Sequence, residues 1–337
     1  MATPPELAQT RYTQVASTIR AIIEQIQQIW RGLSASSIED DLLGEAGAAI
    51  ADAVVAGQFT VADAAQAYIA AQMVAQGGSA LAEAALVAGA FTGIAPGGGP
   101  LETLLFVPAI GVRQRLAAGV PPEEAMIGGL VDMAMYTSTA IADSARAADQ
   151  VGMAANRSCV AYVRVVRAGA CSRCLILSGQ IYSRSEGFLR HPNCGCQTMP
   201  LREHEWPDIP TPAQLVDRMT PDQRQRTFGA AGARAIAAGA DIGQVVNARR
   251  GMDTAHIYGR TLQVTHEGAT RRSAYGRSRD RAGDNFARFA GQRHGAATSM
   301  RYFRSTRSPR LMPEEIFRIA DDRDEELRLL RRYGYLT

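Results

Sequence analysis

The chain of 337 residues is long enough for two domains, and its composition excludes a disordered protein. Apolar residues make up 46% of it and charged residues 20%, a balance that can bury a sizeable core. All 36 basic residues are arginine: residues 1–150 contain 6 against 15 acidic residues, whereas residues 151–337 contain 30 against 18. The net charge of +3 therefore conceals an acidic N-terminal part and a basic C-terminal part.

Neither a secretory signal nor a membrane helix is expected. The N-terminal residues MATPPELAQTRYTQ lack the basic and apolar regions of a signal peptide. The longest uncharged run, residues 64–82, is interrupted by glutamines and a Gly-Gly pair, unlike the apolar stretch of a membrane span. Four of the five cysteines lie within 26 residues, which in an intracellular chain favours a metal site over disulfides.

Residues 1–150 have the pattern of a helical domain. Apolar residues alternate spacings of three and four along a first helix that ends near Gly32 or Leu33. The stripe comprises Tyr12, Val15, Ile19, Ile22, Ile26, Ile29 and Leu33. Further helix starts are predicted at Ser36 with Glu39, at Thr60 with Asp63, and at Pro121-Pro122. We expect the stripe to pack within its own domain; the alternative is an oligomer contact or a contact with a partner protein.

From about residue 158 the pattern becomes that of a small α+β unit. Residues 159–166, CVAYVRVV, are β-branched and aromatic, and Gln180–Ser183 is a second possible strand. We therefore expect an α+β protein with three parts: a helical domain over 1–150, a cysteine-containing module over 151–206, and a basic extension over 207–337.

The basic extension is predicted to be partly extended. Thr211-Pro212 and Thr220-Pro221 mark two short helices, in which proline follows a capping threonine. Residues 260–268 are a possible strand, and residues 268–310 are expected to be loop-like. A single helix over 313–334, PEEIFRIADDRDEELRLLRRYG, is expected to close the chain.

The strongest chemical signal is a cluster of cysteines and one histidine. Its order is Cys171-x2-Cys174-x16-His191-x2-Cys194-x-Cys196. Zinc takes four such ligands in a tetrahedron, and a C-x2-C turn brings two thiolates to one ion. The second turn offers three candidates, so one of the five is surplus, and His191 can instead orient a ligand. We expect a structural zinc site.

Two other interpretations of the cysteines stay open at the level of sequence. They can be buried, reduced side chains without a metal, or the C-x2-C pair can be redox-active, because Arg173 between them can lower a thiol pKa. Cys159 lies in the strand pattern and is expected in the core.

The same residues carry a family resemblance. CLILSGQIY followed by HPNCGCQTMP resembles the MuF-type minor head proteins of tailed bacteriophages, whose signature has a cysteine before an L-x-G turn and then H-P-x-C-x-C. The matching residues are Cys174, Gly179, His191, Pro192, Cys194 and Cys196. Ser178 stands where the family often has aspartate, and Gly195 where it often has arginine. Residues 244–252, 264–276 and 311–336 are similar to an actinobacteriophage subgroup.

The resemblance implies a minor capsid protein that associates with the portal and the head interior during procapsid assembly. Its partners would be the portal protein and the major capsid protein, with packaged double-stranded DNA as a further contact and no membrane. The protein would be assembled in the host cytoplasm and reside in the virion. Members of the subgroup are often labelled capsid maturation proteases, so an enzyme has to be considered.

The residues themselves display no catalytic constellation, and we expect a structural protein rather than an enzyme. No G-x-S-x-G elbow is present, and His204-Glu205 lacks the second histidine of a metalloprotease. A serine protease assembled from distant positions stays open as the alternative function. Its candidates are His204, His256, His266, His294, Ser178, Ser183 and Ser273.

Residues 240–310 form an arginine-rich segment with 14 Arg against five acidic residues. Arginine binds phosphates well, and release of counterions would favour contact with DNA. A solvated surface and docking onto an acidic partner such as a portal are equal alternatives, and a zinc-dependent DNA-binding module is a third function. The candidate contact residues are Arg271, Arg272, Arg277, Arg279, Arg281, Arg301 and Arg304.

Overall fold

The computed structural model describes residues 2–166, 169–184, 186–188, 191–202, 209–257, 260–267, 287–289 and 303–336. For residues 256–257, 260, 266–267, 287–289 and 303–309 it describes the backbone only. The chain divides into two compact units, which we call the first unit and the second unit. The first comprises Met1–Ala170 with Leu177–Ile209, and the second comprises Cys171–Ile176 with Pro210–Thr337.

The first unit combines helices with a small antiparallel sheet. Its helices are α1 (Pro4–Trp30), α2 (Ile38–Leu43), α3 (Glu45–Asp63), α4 (Ala65–Ala75), α5 (Leu101–Ala117) and α6 (Pro122–Ala154), with a 3-10 turn at Ala88–Phe91. Its strands are β1 (Cys159–Val165), β2 (Ile181–Ser183) and β3 (Gln197–Arg202), in the order β2-β1-β3. The strands predicted at 159–166 and 180–183 are confirmed. The strand over Gln197–Arg202 was not predicted.

The heptad stripe of α1 packs within the first unit, as expected. Val15, Ile26 and Trp30 are buried in its main core, and Ile19 and Ile22 pack against that core. The other core residues come from α2, α3, α5 and α6. The predicted alternative was an oligomer contact or a contact with a partner protein. The buried residues of the stripe pack inside the unit instead.

Two of the three predicted helix starts need correction. The start at Pro122 is confirmed, but α2 begins at Ile38 after Ser37, and Ser36 faces the hydroxyl of Ser34 instead of capping a helix. Thr60 lies inside α3, where its hydroxyl donates to the Ala56 carbonyl. A threonine satisfied by its own helix in this way gives a false capping signal.

Buried polar contacts fix the sheet of the first unit on its helices. Tyr68 of α4 donates its hydroxyl to the Thr198 carbonyl at 2.7 Å, and Gln76 binds the Pro200 carbonyl at 2.9 Å. Gln76 also accepts from the backbone N–H of Arg202 at 3.0 Å. The edge of β3 that is not paired with β1 therefore finds partners for its backbone groups in the helical part of the same unit.

The second unit has short helices around a four-stranded antiparallel sheet. Its helices are α7 (Ser172–Leu175), α8 (Pro212–Asp217), α9 (Pro221–Phe228), α10 (Ala230–Ala237), α11 (Ile242–Arg250), α12 (Pro313–Ile319) and α13 (Arg323–Arg332). Its strands are β4 (Met252–Ile257), β5 (Arg260–Glu267), β6 (Ala287–Phe289) and β7 (Phe303–Leu311), in the order β4-β5-β7-β6. Helices and small antiparallel sheets together confirm the α+β class.

The two threonine caps of the second unit are confirmed. The hydroxyls of Thr211 and Thr220 each accept a hydrogen bond from the backbone N–H of the residue three positions later. In turn, the side-chain oxygens of Gln214 and Gln223 accept hydrogen bonds from the backbone N–H groups of the two threonines. Reciprocal bonds of this kind satisfy two donors at once, which is why the local sequence suffices to predict them.

Two predictions for the basic extension are wrong. Residues 268–310 were expected to be loop-like, but strand β7 begins at Phe303 and pairs with β5. The terminal helix is two helices, because Ala320 is extended and Asp322 starts a new helix by accepting from the Glu325 N–H at 2.8 Å. An aspartate within a helical sequence can accept hydrogen bonds from nearby backbone N–H groups. Asp322 does so and caps the second helix, so the first helix ends before it.

Within the described residues, two helical stretches are long and apolar enough to cross a membrane by length and composition. They are Glu45–Ala75 and Pro122–Ala154, and 50% and 39% of their most apolar windows are buried within the structure. Core helices of soluble proteins meet the same criterion, so this finding assigns no membrane. The absence of a membrane partner stays a prediction.

Candidate metal centre

The first element of the centre is the turn that contains Cys171 and Cys174. Cys171 precedes α7 in an extended conformation, and the N–H groups of Cys174 and Leu175 donate to its carbonyl at 3.0 and 3.1 Å. This tight turn is the local structure that lets a C-x2-C pair present two thiolates to one ion. Cys174 is buried, whereas Cys171 is exposed.

The second element is the turn from His191 to Cys196. The Cys194 N–H donates to the His191 carbonyl at 3.1 Å, and Asn193 has a positive φ of 60°, which asparagine tolerates better than most residues. The turn is held on α6, because Asn193 donates its N–H to the Thr139 hydroxyl at 3.1 Å and accepts from Ser138. These contacts hold the reversal of the chain without using the Cys194 sulfur or the His191 ring.

The structure brings all five predicted ligands into two overlapping groups. One group is Cys171, Cys174 and His191, and the other is Cys174, Cys194 and Cys196. Within each group the ligand atoms lie within 4.8 Å of one another, and Cys174 belongs to both. A tetrahedral zinc ion with Zn–S bonds of about 2.3 Å holds its sulfurs about 3.8 Å apart, so the donor set fits such an ion.

His191 is prepared to ligate through one particular nitrogen. Its Nδ1 lies 2.7 Å from the Pro192 carbonyl oxygen, which can only accept, so Nδ1 carries the proton. Nε2 is then the nitrogen that offers a lone pair. A carbonyl that fixes the tautomer of a histidine is a common outer partner of metal-binding imidazoles.

A buried arginine of α6 holds the backbone of the second turn. Arg146 donates through Nη1 to the carbonyls of Cys194 and Cys196 at 3.0 and 2.9 Å, and through Nη2 to Asp143 at 2.6 Å. Its side chain is only 5% exposed. The ion pair with Asp143 offsets the cost of burying the guanidinium. The two hydrogen bonds to carbonyl oxygens fix the backbone positions of Cys194 and Cys196.

A second buried arginine reaches the sulfur atoms themselves. Arg164 of β1 directs Nη2 to the Sγ atoms of Cys194 and Cys196, at 3.6 and 3.5 Å. The guanidinium lies 4.4 Å from the centre of the Phe188 ring. The two sulfurs of the C-x-C pair thus share one positively charged donor.

Cys159 takes no part in the two groups and lies in the core, as expected. Its thiol is buried in β1 and directed to the Ala161 carbonyl at 3.4 Å. Burial raises its pKa to about 11, because a thiolate is poorly solvated there. A thiol of this kind is neither a nucleophile nor a ligand at neutral pH.

The structure describes few of the predicted protease and contact residues. Ser178 is buried and Ser183 is exposed in β2. His256, His266 and Arg304 lie in strands whose side chains are outside the described ones. Outside the described residues altogether lie His204, His294, Ser273, Arg271, Arg272, Arg277, Arg279, Arg281 and Arg301.

Arg146 and Arg164 are the site residues that the sequence analysis missed. Arg164 is the one charge in the apolar strand Cys159–Val165, and Arg146 lies in the alanine-rich end of α6 between Asp143 and Asp149. For Arg164, a lone charge within an apolar strand is the signal that could have identified it, because charged residues are rarely buried without a partner. In a chain with 36 arginines that signal is easily overlooked.

Comparisons with known proteins add no family to this geometry. No protein-family model, no curated protein and no solved structure matches the chain. The chemistry of the centre therefore has to be argued from its own residues.

Proposed function

We propose that the chain is a minor head protein of a tailed bacteriophage, of the MuF type, whose cysteine–histidine module is held together by a structural zinc ion. The proposed family rests on the resemblance of the sequence. The candidate metal centre gives a physical reason for the residues of the family signature. Residues that are far apart in that signature, from Cys174 to Cys196, converge on one metal-competent cluster.

The convergence of the signature residues is the observation that carries this proposal. Four of them, Cys174, His191, Cys194 and Cys196, belong to the two groups that could hold a metal ion. Gly179 has a φ of +72° as the chain turns into β2, a conformation that side chains other than glycine rarely adopt. The signature therefore corresponds to one structural device rather than to a set of catalytic groups.

The ligand set favours a structural role for the ion. Five candidate ligands exceed the four positions of a tetrahedral zinc, and three of them, Cys174, Cys194 and Cys196, are buried. A catalytic zinc instead keeps one position open for water or substrate. When bound, the ion would supply cross-linking of the two turns, and the residues of the turns would supply its position.

The proposed partners are the portal protein and the major capsid protein, in the head interior of the virion. The acidic N-terminal part and the basic C-terminal part offer surfaces of opposite sign to them. Packaged double-stranded DNA is the further contact proposed for the arginine-rich segment. Binding to DNA would weaken steeply with added salt, because arginine–phosphate contacts release counterions.

Co-expression with the cognate portal and major capsid proteins tests the proposal. We expect this chain to co-purify with the portal and the capsid protein to keep its intact mass. Cys174→Ser should lose retention on the portal together with its metal, whereas the matched variant Cys159→Ala should keep both. Failure of the wild-type chain to associate with portal or capsid would contradict the proposal.

Two other outcomes of the same experiment would replace the proposed function. Capsid protein shortened at one bond only when this chain is present would indicate a maturation protease, above all if one serine or histidine substitution prevents it. Salt-sensitive binding to DNA without any portal partner would indicate a zinc-dependent DNA-binding module.

A further inference from the structure

Five candidate ligands for four positions leave one donor to be explained. The two groups share Cys174, and they differ in whether Cys171 and His191 or Cys194 and Cys196 accompany it. A metal that takes the first group needs one sulfur from the C-x-C pair and leaves the other without a bond to the ion. The residues that surround Cys194 and Cys196 must therefore hold that second sulfur.

We infer that Arg164 is a positioning residue of the metal centre: its guanidinium holds the Cys194 and Cys196 sulfurs in ligating positions and balances their negative charge. This inference rests on the proposed metal centre and adds to it a residue that does not touch the ion. Nη2 lies nearly equally far from the two sulfurs, at 3.6 and 3.5 Å, so one donor serves both.

The charge of the centre explains why an arginine is needed there. Zinc carries two positive charges, so three thiolates and a neutral histidine leave the cluster with a net negative charge, and a fourth thiolate adds to it. Such a charge is costly to bury without a cation beside it. Arg164 is 1% exposed and supplies that cation inside the protein, where solvent screening is small.

Two arginines with different targets hold the C-x-C turn. Arg146 binds the carbonyls of Cys194 and Cys196, whereas Arg164 approaches their sulfurs. The Phe188 ring lies under Arg164 at 4.4 Å and restricts the orientation of its guanidinium plane. The backbone and the ligand atoms of the turn are therefore contacted by separate side chains, with Arg164 at the sulfurs.

Zinc affinity of the full chain tests this role, with zinc ions alone as the probe and a chromogenic chelator as the competitor. Substitution of an outer partner of a metal ligand lowers metal affinity about 10–100-fold, and we expect a loss in this range for Arg164→Met. Arg164→Lys keeps the charge but not the planar fork, so it should recover part of the affinity. Cobalt substituted for zinc should show altered thiolate-to-metal absorption in both variants.

The matched control is Arg11→Lys. Arg11 is equally buried, but its hydrogen bonds go to Asp149, Gln14 and the Val61 carbonyl. We expect Arg11→Lys to lower the stability of the protein and to leave zinc affinity and the cobalt spectrum as in the wild type. The stability of Arg164→Lys is measured beside that of this control, and an unchanged affinity and spectrum in Arg164→Lys would overturn the role of Arg164. A wild-type chain that binds no zinc would overturn the metal centre as a whole.

Discussion

Arg11 and Asp149, which are 138 positions apart in the chain, form a buried ion pair at 2.7 Å. The pair joins α1 to the C-terminal end of α6, and both side chains are within 1% of full burial. Thr198 of β3 adds a weaker contact to the same carboxylate at 3.4 Å. The first helix, the last long helix and the sheet of the first unit thus meet at one charged contact.

Breaking this pair should destabilise the first unit strongly. Asp149→Leu or Arg11→Met alone leaves one buried charge without its partner, and we expect a loss of about 3–5 kcal/mol in the free energy of unfolding. The double variant replaces both charges by apolar groups and should recover most of the loss. Urea denaturation of the four proteins measures this coupling, and additive losses in the double variant would contradict it.

Ligand substitutions should distinguish Cys174 from the C-x-C pair. Cys174→Ser removes the sulfur common to both ligand groups, so we expect it to abolish metal binding. Cys194→Ser and Cys196→Ser should each still bind with lower affinity, because the remaining cysteine can take the position, and the double variant should not bind. Cobalt absorption reports the number of thiolates in each case. Loss of binding in either single variant would show that both sulfurs are ligands.

Alkaline pH should destabilise the protein through Cys159. Its pKa is raised from 9.0 to about 11, so the fold favours the protonated thiol. This contribution is complete below about pH 9 and is lost as the pH rises through 11. We expect wild-type stability to fall by about 2–3 kcal/mol relative to Cys159→Ala over that interval. Parallel pH dependences of the two proteins would contradict the prediction.

Chelation of the metal should loosen the cysteine turns while the helical core persists. The main core of the first unit contains none of the five ligands, since its residues come from the helices. We therefore expect far-ultraviolet circular dichroism to change little, while amides of residues 191–202 exchange faster with solvent. Cooperative loss of the whole helical signal on chelation would contradict this independence of the helical core from the cysteine turns.

The local sequence predicted the elements whose signals are satisfied locally. Thr211 and Thr220 complete their capping boxes within four residues, and the stripe of α1 buries Val15 and Ile26 as its spacing requires. The strand over Gln197–Arg202 could not be predicted in this way. Its Pro200 interrupts the strand pattern, and its partners, Tyr68 and Gln76, are more than 120 positions distant.

The candidate site also has parts that the local sequence predicts and parts that only distant contacts determine. Spacing identified all five residues of the two candidate ligand groups, because a metal site needs particular residue types at short intervals. The surplus ligand could not be ranked by spacing, since the sharing of Cys174 by two groups is a property of three dimensions. Arg146 and Arg164 lie 30 to 50 positions from Cys194 and Cys196, so packing is what brings the two guanidinium groups to the carbonyls and sulfurs of that pair.

The measurement that tests the metal centre most directly is native mass spectrometry of the purified full chain after exposure to zinc and removal of loosely bound ions. We expect one zinc ion per chain for the wild type and for Cys159→Ala, and the mass of the metal-free chain for Cys174→Ser. A metal-free mass for the wild-type chain, or equal zinc retention by Cys174→Ser, would contradict the account.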